Sequence, residues 1–201
     1  MLVRTHNVKN IVNFIDKMGV CDSIQVATIF FQHHKQSLRY AQQKLAQIYD
    51  GKLIKRKKTF LGTRYIYYID SFPQQFEHKY LRSELYTRIC RKYGVKNCTC
   101  ECEYLGIEGM RPDALITVKH RKWKFIFFVE IHISNNDFNY NKYIETYHKK
   151  LHIGLTQDAD IFPIILVVTD SKIMNYGELE FIKMDTEFKN FDNVIQTIIG
   201  G

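Results

Sequence analysis

The stretch "WKFIFFVEIHI" (123–133) constrains the fold more than any other part of the chain. Its apolar residues fall on both parities. Successive side chains of a strand point to opposite faces, so such a run suits a strand that is covered on both sides. That calls for a sheet with layers packed against it. The same run carries Glu130 among Phe127, Phe128, Val129 and Ile131. An ionised carboxylate is costly there without a partner, so Glu130 marks a polar site within an apolar strand.

The neighbouring segments supply the rest of that sheet. "QQFEHKYLRSELYTRICRKYG" (74–94) has helical spacing through Phe76, Tyr80, Leu85 and Ile89 and ends at Gly94. "VKNCTCECEYLGI" alternates as a strand, and Asp113 opens another strand through Val118. The turn "KHRK" then leads into the central run. Helical spacing returns through Tyr140, Tyr143, Ile144, Tyr147 and Leu151, and "FPIILVVTD" is a further buried strand. A helix, a short strand around "LEFIKM" and a C-terminal helix are expected after it. The order α-β-β-β-α-β gives a mixed sheet with helices on both faces.

The first third has a different character. The chain has a formal net charge of +8, yet residues 1–72 hold 12 Lys and Arg against 4 Asp and Glu, while residues 73–201 hold 17 of each. Positive charge gathered in one segment is the footprint of a polyanion partner, most often nucleic acid. Val8, Ile11, Val12, Ile15 and Met18 predict a first helix stopped by Gly19. A second follows with Ser23 as N-cap. A third starts with Ser37 as N-cap, buries Leu38, Ala41, Leu45 and Ile48, and stops at Gly51. Its opposite face carries Arg39, Tyr40, Gln42, Gln43 and Lys44.

After Gly51 two strands are expected around a turn near Thr59–Gly62, with Lys55, Arg56, Lys57, Lys58 and Arg64 at or near the tip. Three helices and a basic hairpin are the order of a winged helix-turn-helix. There the third helix enters the major groove, where Arg reads guanine and Gln reads adenine. The hairpin follows the backbone and displaces counterions. Pro73 and the loss of net charge place the domain boundary between residues 72 and 73. The fold class is therefore α+β or α/β, with a DNA-binding domain at 1–72 and a mixed-sheet domain at 73–201.

A divalent cation that hydrolyses phosphodiesters needs hard oxygen ligands and a group that positions or deprotonates water. Asp113 and Glu130 are two such ligands on neighbouring strands, and Glu84 on the preceding helix is an accessory third. His132 projects from the same strand face as Glu130. Cys98, Cys100 and Cys102 recur every two residues, which on a strand spreads them over about 13 Å and fits small buried residues better than a zinc site. No Walker-type phosphate loop and no nucleophile elbow is present. No apolar run reaches the ~18 residues that a membrane span needs. Five cysteines without an export signal point to reduced thiols in a cytoplasm.

"FEHKYLRSEL" (76–85), "MRPDALITV" (110–118), "FFVEIHIS" (127–134) and "KYIETYHKK" (142–150) together resemble the replication-relaxation family of plasmids and other mobile elements. The resemblance implies a winged helix joined to a domain similar to the PD-(D/E)xK, or restriction-endonuclease-like, fold. By that pattern Asp113 and Glu130 match the two acids, and His78 and Tyr147 match recurrent helix positions. An active nuclease of this fold would carry lysine where His132 stands. Imidazole could act as a base but does not replace an ammonium that stabilises negative charge. Lys142, on the next helix, is the residue that could supply the missing amine.

The resulting expectation is a sequence-specific binder of double-stranded DNA, acting in plasmid or phage replication, DNA relaxation or transfer, or its regulation. Its nuclease-like domain is expected to be degenerate. A homodimer on an inverted repeat is expected, with replication, transfer or transcription proteins as further partners and no membrane. DNA binding requires no cofactor. Two alternatives stand beside it. One is an active Mg²⁺- or Mn²⁺-dependent endonuclease or nickase using Asp113 and Glu130 with His132 or Lys142. The other is a transcriptional regulator or adaptor whose second domain binds a protein or small ligand.

Overall fold

The computed structural model describes residues 8–58, 64–134, 136–156 and 161–200. The chain divides into two compact units, one ending at Val95 and the next beginning at Lys96. The compact unit thus runs one helix beyond the boundary expected at residue 72.

The N-terminal unit contains α1 (Val8–Met18), β1 (Cys21–Asp22), α2 (Ser23–Phe31), α3 (Ser37–Asp50), β2 (Lys55–Lys58), β3 (Tyr65–Tyr68) and α4 (Phe76–Tyr93). Its small antiparallel sheet runs β1-β3-β2. Ile11, Phe14, Ile15 and Met18 of α1 are buried, as are Val26 and Ala27 of α2 and Ala41, Leu45 and Ile48 of α3. Gly19 ends α1 with φ +79°, its N–H donating to the Ile15 carbonyl at 2.8 Å. The turn expected at Thr59–Gly62 lies outside the described residues.

Three local expectations change. Asp22, not Ser23, caps α2: its carboxylate accepts from the N–H groups of Ile24 and Gln25 at 2.8 Å each. The Gln25 side chain returns a bond to the Asp22 N–H, completing a capping box. α3 begins at Ser37 with Gln36 in the cap position, so Ser37 is its first helical residue. Leu38 is 40% exposed, because the buried stripe starts one turn later at Ala41.

α4 packs on α2 and α1, which is why it belongs to this unit. Buried Arg82 donates to the Met18 carbonyl at 3.1 Å, and buried Ser83 donates to Gln25 Oε1 at 3.0 Å. Tyr80 donates its hydroxyl to Asp22 at 3.1 Å, and Arg91 reaches Thr28 at 3.2 Å.

The C-terminal unit contains β4 (Cys98–Cys102), β5 (Ala114–His120), β6 (Trp123–Ile131), α5 (Asn141–His148), α6 (Ile153–Thr156), β7 (Ile164–Val168), β8 (Phe181–Met184) and α7 (Phe191–Ile199). The sheet runs β4-β5-β6-β7-β8. The first three strands are antiparallel, and β6-β7 and β7-β8 are parallel. Phe127, Phe128 and Val129 of central β6 are all fully buried, as a two-sided strand requires.

One face holds a cluster of Met110, Leu115, Phe128, Ile165, Val167 and Phe181, with Tyr143 of α5 packed into it. α7 buries Phe191, Ile195 and Ile199 beside β8. The helix expected between β7 and β8 does not form; an isolated bridge between Tyr176 and Leu179 tightens that connection instead. α5 ends at His148, so Leu151 lies beyond its stripe and is exposed. Among the described residues, no helix is long and apolar enough to cross a membrane.

Candidate functional site

In the N-terminal unit the outward face of α3 presents Arg39, Tyr40, Gln42 and Gln43, all exposed, with Ser37 and Lys44 half-buried. The hairpin that follows carries Lys55, Lys57 and Lys58 in exposed positions. Several cations of the hairpin also have partners within the fold. The Arg56 guanidinium lies between two rings, 4.1 Å from the centre of Tyr49 and 4.4 Å from that of Tyr65, and so ties the hairpin to α3. Arg64 pairs with Asp22 at 3.5 Å while remaining more than half exposed. Lys57 sits 4.5 Å from the Phe72 ring centre, and Lys55 reaches the Asp70 carbonyl.

In the C-terminal unit the β5–β6 register pairs Ala114 with Val129. One further step sets Asp113 opposite Glu130. Asp113 accepts from the Ile131 N–H through Oδ2 at 2.7 Å, so the acid is fixed across the strand pair. Its own carbonyl accepts from the Glu103 N–H at 2.8 Å, continuing the ladder to β4.

Glu130 is only 9% exposed. Its Oε1 accepts from Lys142 Nζ and from the Tyr143 hydroxyl, each at 2.5 Å. Both donors stand on the first turns of α5, the helix laid over this face. Burial, and then the nearby Asp113 carboxylate, push the Glu130 carboxyl above its usual range; Lys142 and Tyr143 act in the other direction. Burial also holds the Tyr143 hydroxyl well above its ordinary range, so it stays a donor. Desolvation cancels much of the attraction in such a pair, which makes it a poor device for stability alone.

The structure therefore brings Asp113, Glu130 and Lys142 together. His132 sits just past β6; its ring meets Phe138 edge-on at 5.5 Å, and its N–H donates to the Val168 carbonyl at 2.9 Å. Tyr147 donates to Glu178 and stacks on His152. Glu84 belongs to α4 of the N-terminal unit, where Gln25 and Arg88 donate to it at 3.1 and 2.7 Å. His78 is half-buried on the same helix.

Two participants, Tyr143 and Arg111, were not assigned to the site from the sequence. Tyr143 was counted only as an apolar residue at helical spacing, although a buried tyrosine usually needs a partner for its hydroxyl. Arg111 contributes its carbonyl to Lys142 at 3.5 Å and pairs its side chain with Glu103.

Could this site hold a metal? Mg²⁺ is commonly held by one or two carboxylates, with water and substrate phosphate completing its shell. Asp113 and Glu130 fit that donor set. Among the described residues no group of three or more His, Cys, Asp or Glu side chains could hold a metal ion, so any cation here would rest on two protein carboxylates. Cys98 and Cys100 are buried on β4, where they fill space as small apolar residues. Compared with family models, with curated proteins and with solved structures, the chain matches none.

Proposed function

We propose that the chain is a sequence-specific double-stranded DNA-binding protein whose N-terminal unit works as a winged helix-turn-helix. One observation carries this: α3 exposes Arg39, Gln42 and Gln43 on one face, and the next hairpin exposes Lys55, Lys57 and Lys58. The element order of helix, short strand, two helices and hairpin supports it. Arg and Gln on a helix can read base edges, and Lys on a hairpin neutralises phosphates. The biological setting that the resemblance implies is replication, relaxation or transfer of a mobile element, or its regulation.

A second activity is favoured by the C-terminal unit. Asp113 opposite Glu130, with Lys142 Nζ at 2.5 Å, has the composition of a metal-dependent phosphodiesterase site. The order of antiparallel strands, crossing helix and parallel strand supports a restriction-endonuclease-like sheet. Asp113 and Glu130 would hold Mg²⁺ or Mn²⁺, which supplies Lewis acidity toward a phosphate oxygen. Lys142 would offer an ammonium to the charge that develops on that phosphate. In this reading Lys142 takes the role that His132 cannot fill.

The test is incubation of supercoiled plasmid with Mg²⁺, Mn²⁺ or EDTA, beside a gel shift at several salt concentrations. DNA binding predicts a salt-sensitive shift weakened by Arg39→Ala or Gln43→Ala and indifferent to Glu130→Gln. A shift that ignores both α3 variants would sink the first reading. Nicking that appears only with metal, and disappears in Lys142→Ala and Glu130→Gln but persists in His132→Ala, establishes the second. An intact plasmid under every condition leaves the sheet as a scaffold and ends that claim.

A further inference from the structure

The turn joining β5 and β6 is a charged feature that neither activity above uses. Lys119, Arg121, Lys122, Trp123 and Lys124 are all exposed there, within six consecutive residues. The register sets Lys119 directly opposite Lys124 and His120 opposite Trp123. Like charges placed directly across a strand pair repel. Among the described residues no ion pair or hydrogen bond engages the side chains of Lys119, Arg121 or Lys124, and the Lys122 ammonium lies 5.3 Å from the Trp123 ring centre. Arg121 also adopts φ +54°, a conformation disfavoured for a residue with a Cβ. Repulsion and backbone strain thus coincide at a tip whose charges have no ion-pair partner among the described residues.

The aromatic residue narrows the partner. Trp123 is 61% exposed at the strand end. An indole amid cations offers a stacking platform beside a phosphate grip, which is how single-stranded nucleic acid is held without regard to sequence. Paired bases are already stacked on their neighbours, whereas unpaired bases have faces to offer. A membrane surface would call for a broader apolar face than one indole supplies.

We infer that the β5–β6 hairpin tip of the C-terminal unit binds single-stranded nucleic acid, with Trp123 stacking on an unpaired base and Lys119, Arg121 and Lys124 engaging phosphates. This goes beyond duplex recognition by α3 and does not depend on it. The seven residues of β5 separate the tip from Asp113 by about 24 Å, so the contact is also distinct from the acid–lysine site.

Trp123 is the chain's sole tryptophan, so its emission reports on this tip alone. The full chain is titrated with unlabelled oligothymidylate, oligouridylate, a duplex of matched length, and phosphatidylserine vesicles. The expected result is saturable quenching by a single strand, weakened by salt. Response to one oligomer alone shows a preference set by the sugar or the thymine methyl, and response to both means that the tip ignores these differences; each supports the inference. Trp123→Ala, checked by its melting curve, lowers affinity for labelled oligothymidylate roughly tenfold. Lys119→Ala and Lys124→Ala each weaken binding and flatten its salt dependence.

Quenching as strong with duplex, or emission that responds only to vesicles, would overturn the inference. So would unchanged affinity in Trp123→Ala. Arg39→Ala keeps the quench; if duplex shifts fail in wild type while the quench persists, only the α3 proposal has failed.

Discussion

Tyr143 shows how one hydroxyl ties packing to chemistry. Its ring is fully buried beside Phe128, Phe138 and Phe181, while its oxygen meets Glu130. Tyr143→Phe keeps that packing and removes one donor from a buried carboxylate. A cost of about 1–3 kcal/mol is expected in chemical denaturation, because the acceptor stays desolvated. A loss below about 0.5 kcal/mol would show that Lys142 alone satisfies Glu130. A second residue-scale prediction concerns pH. Asp170, after β7, accepts from the Thr186 hydroxyl at 2.5 Å and from its N–H at 3.1 Å, and these bonds lower its carboxyl below the ordinary 3.8. A depressed folded-state value means stability that is present above 3.8 and lost as pH falls through the folded value. The Tm gap between wild type and Asp170→Ala should be steady at neutral pH and close in acid. Its size should not exceed about 1 kcal/mol, since the group is exposed and solvent screens it. A gap that persists unchanged at low pH would deny the bond any role.

At the scale of elements, sequence periodicity identified α1, α3, the long α4, and the two-sided β6, because each carries its burial pattern locally. Asp113 and Glu130 were legible as candidate acids on neighbouring strands for the same reason: one opens a strand and the other interrupts an apolar run. That they face each other follows from the β5–β6 register, which neither segment sets alone. Lys142 was legible only as a candidate. Its contact with Glu130 depends on how α5 lies across the sheet, which no local pattern encodes. β1 was missed because two residues, Cys21 and Asp22, carry no measurable alternation. The N-cap of α2 was placed one residue late because both Asp22 and Ser23 are good cap types; Gln25, three residues after Asp22, is the local capping-box signal that separates them. Asp22 caps the helix, accepts from Tyr80 and pairs with Arg64. Asp22→Ala is therefore expected to cost about 2 kcal/mol, the upper end for a cap, whereas Ser23→Ala should stay within about 0.5 kcal/mol. Urea melts of both variants check the contrast, and equal losses would return the cap to Ser23.

For the molecule as a whole, the telling difference is between the boundary expected at residue 72 and the compact unit, which ends at Val95. Net charge and Pro73 mark where composition changes, and composition is blind to what α4 packs on. The loss of net charge marks the end of the proposed DNA-contacting segment, while the compact unit extends to Val95. Cutting at 72 would strip Arg82 from the Met18 carbonyl, Ser83 from Gln25 and Tyr80 from Asp22. It would also uncover the apolar face of α2, and each of these hydrogen bonds exchanged for water costs about 0.5–1.5 kcal/mol. A small domain is stable by only about 5–15 kcal/mol, so three such losses together with lost apolar burial suffice to unfold it. A fragment of residues 1–95 is thus expected to melt cooperatively and to retain the salt-sensitive duplex shift proposed for the full chain. Residues 1–72 should show no cooperative transition by circular dichroism. If the shorter piece melts as sharply as the longer one, α4 is an appendage. In that case the boundary of the DNA-binding domain belongs where the charge changes.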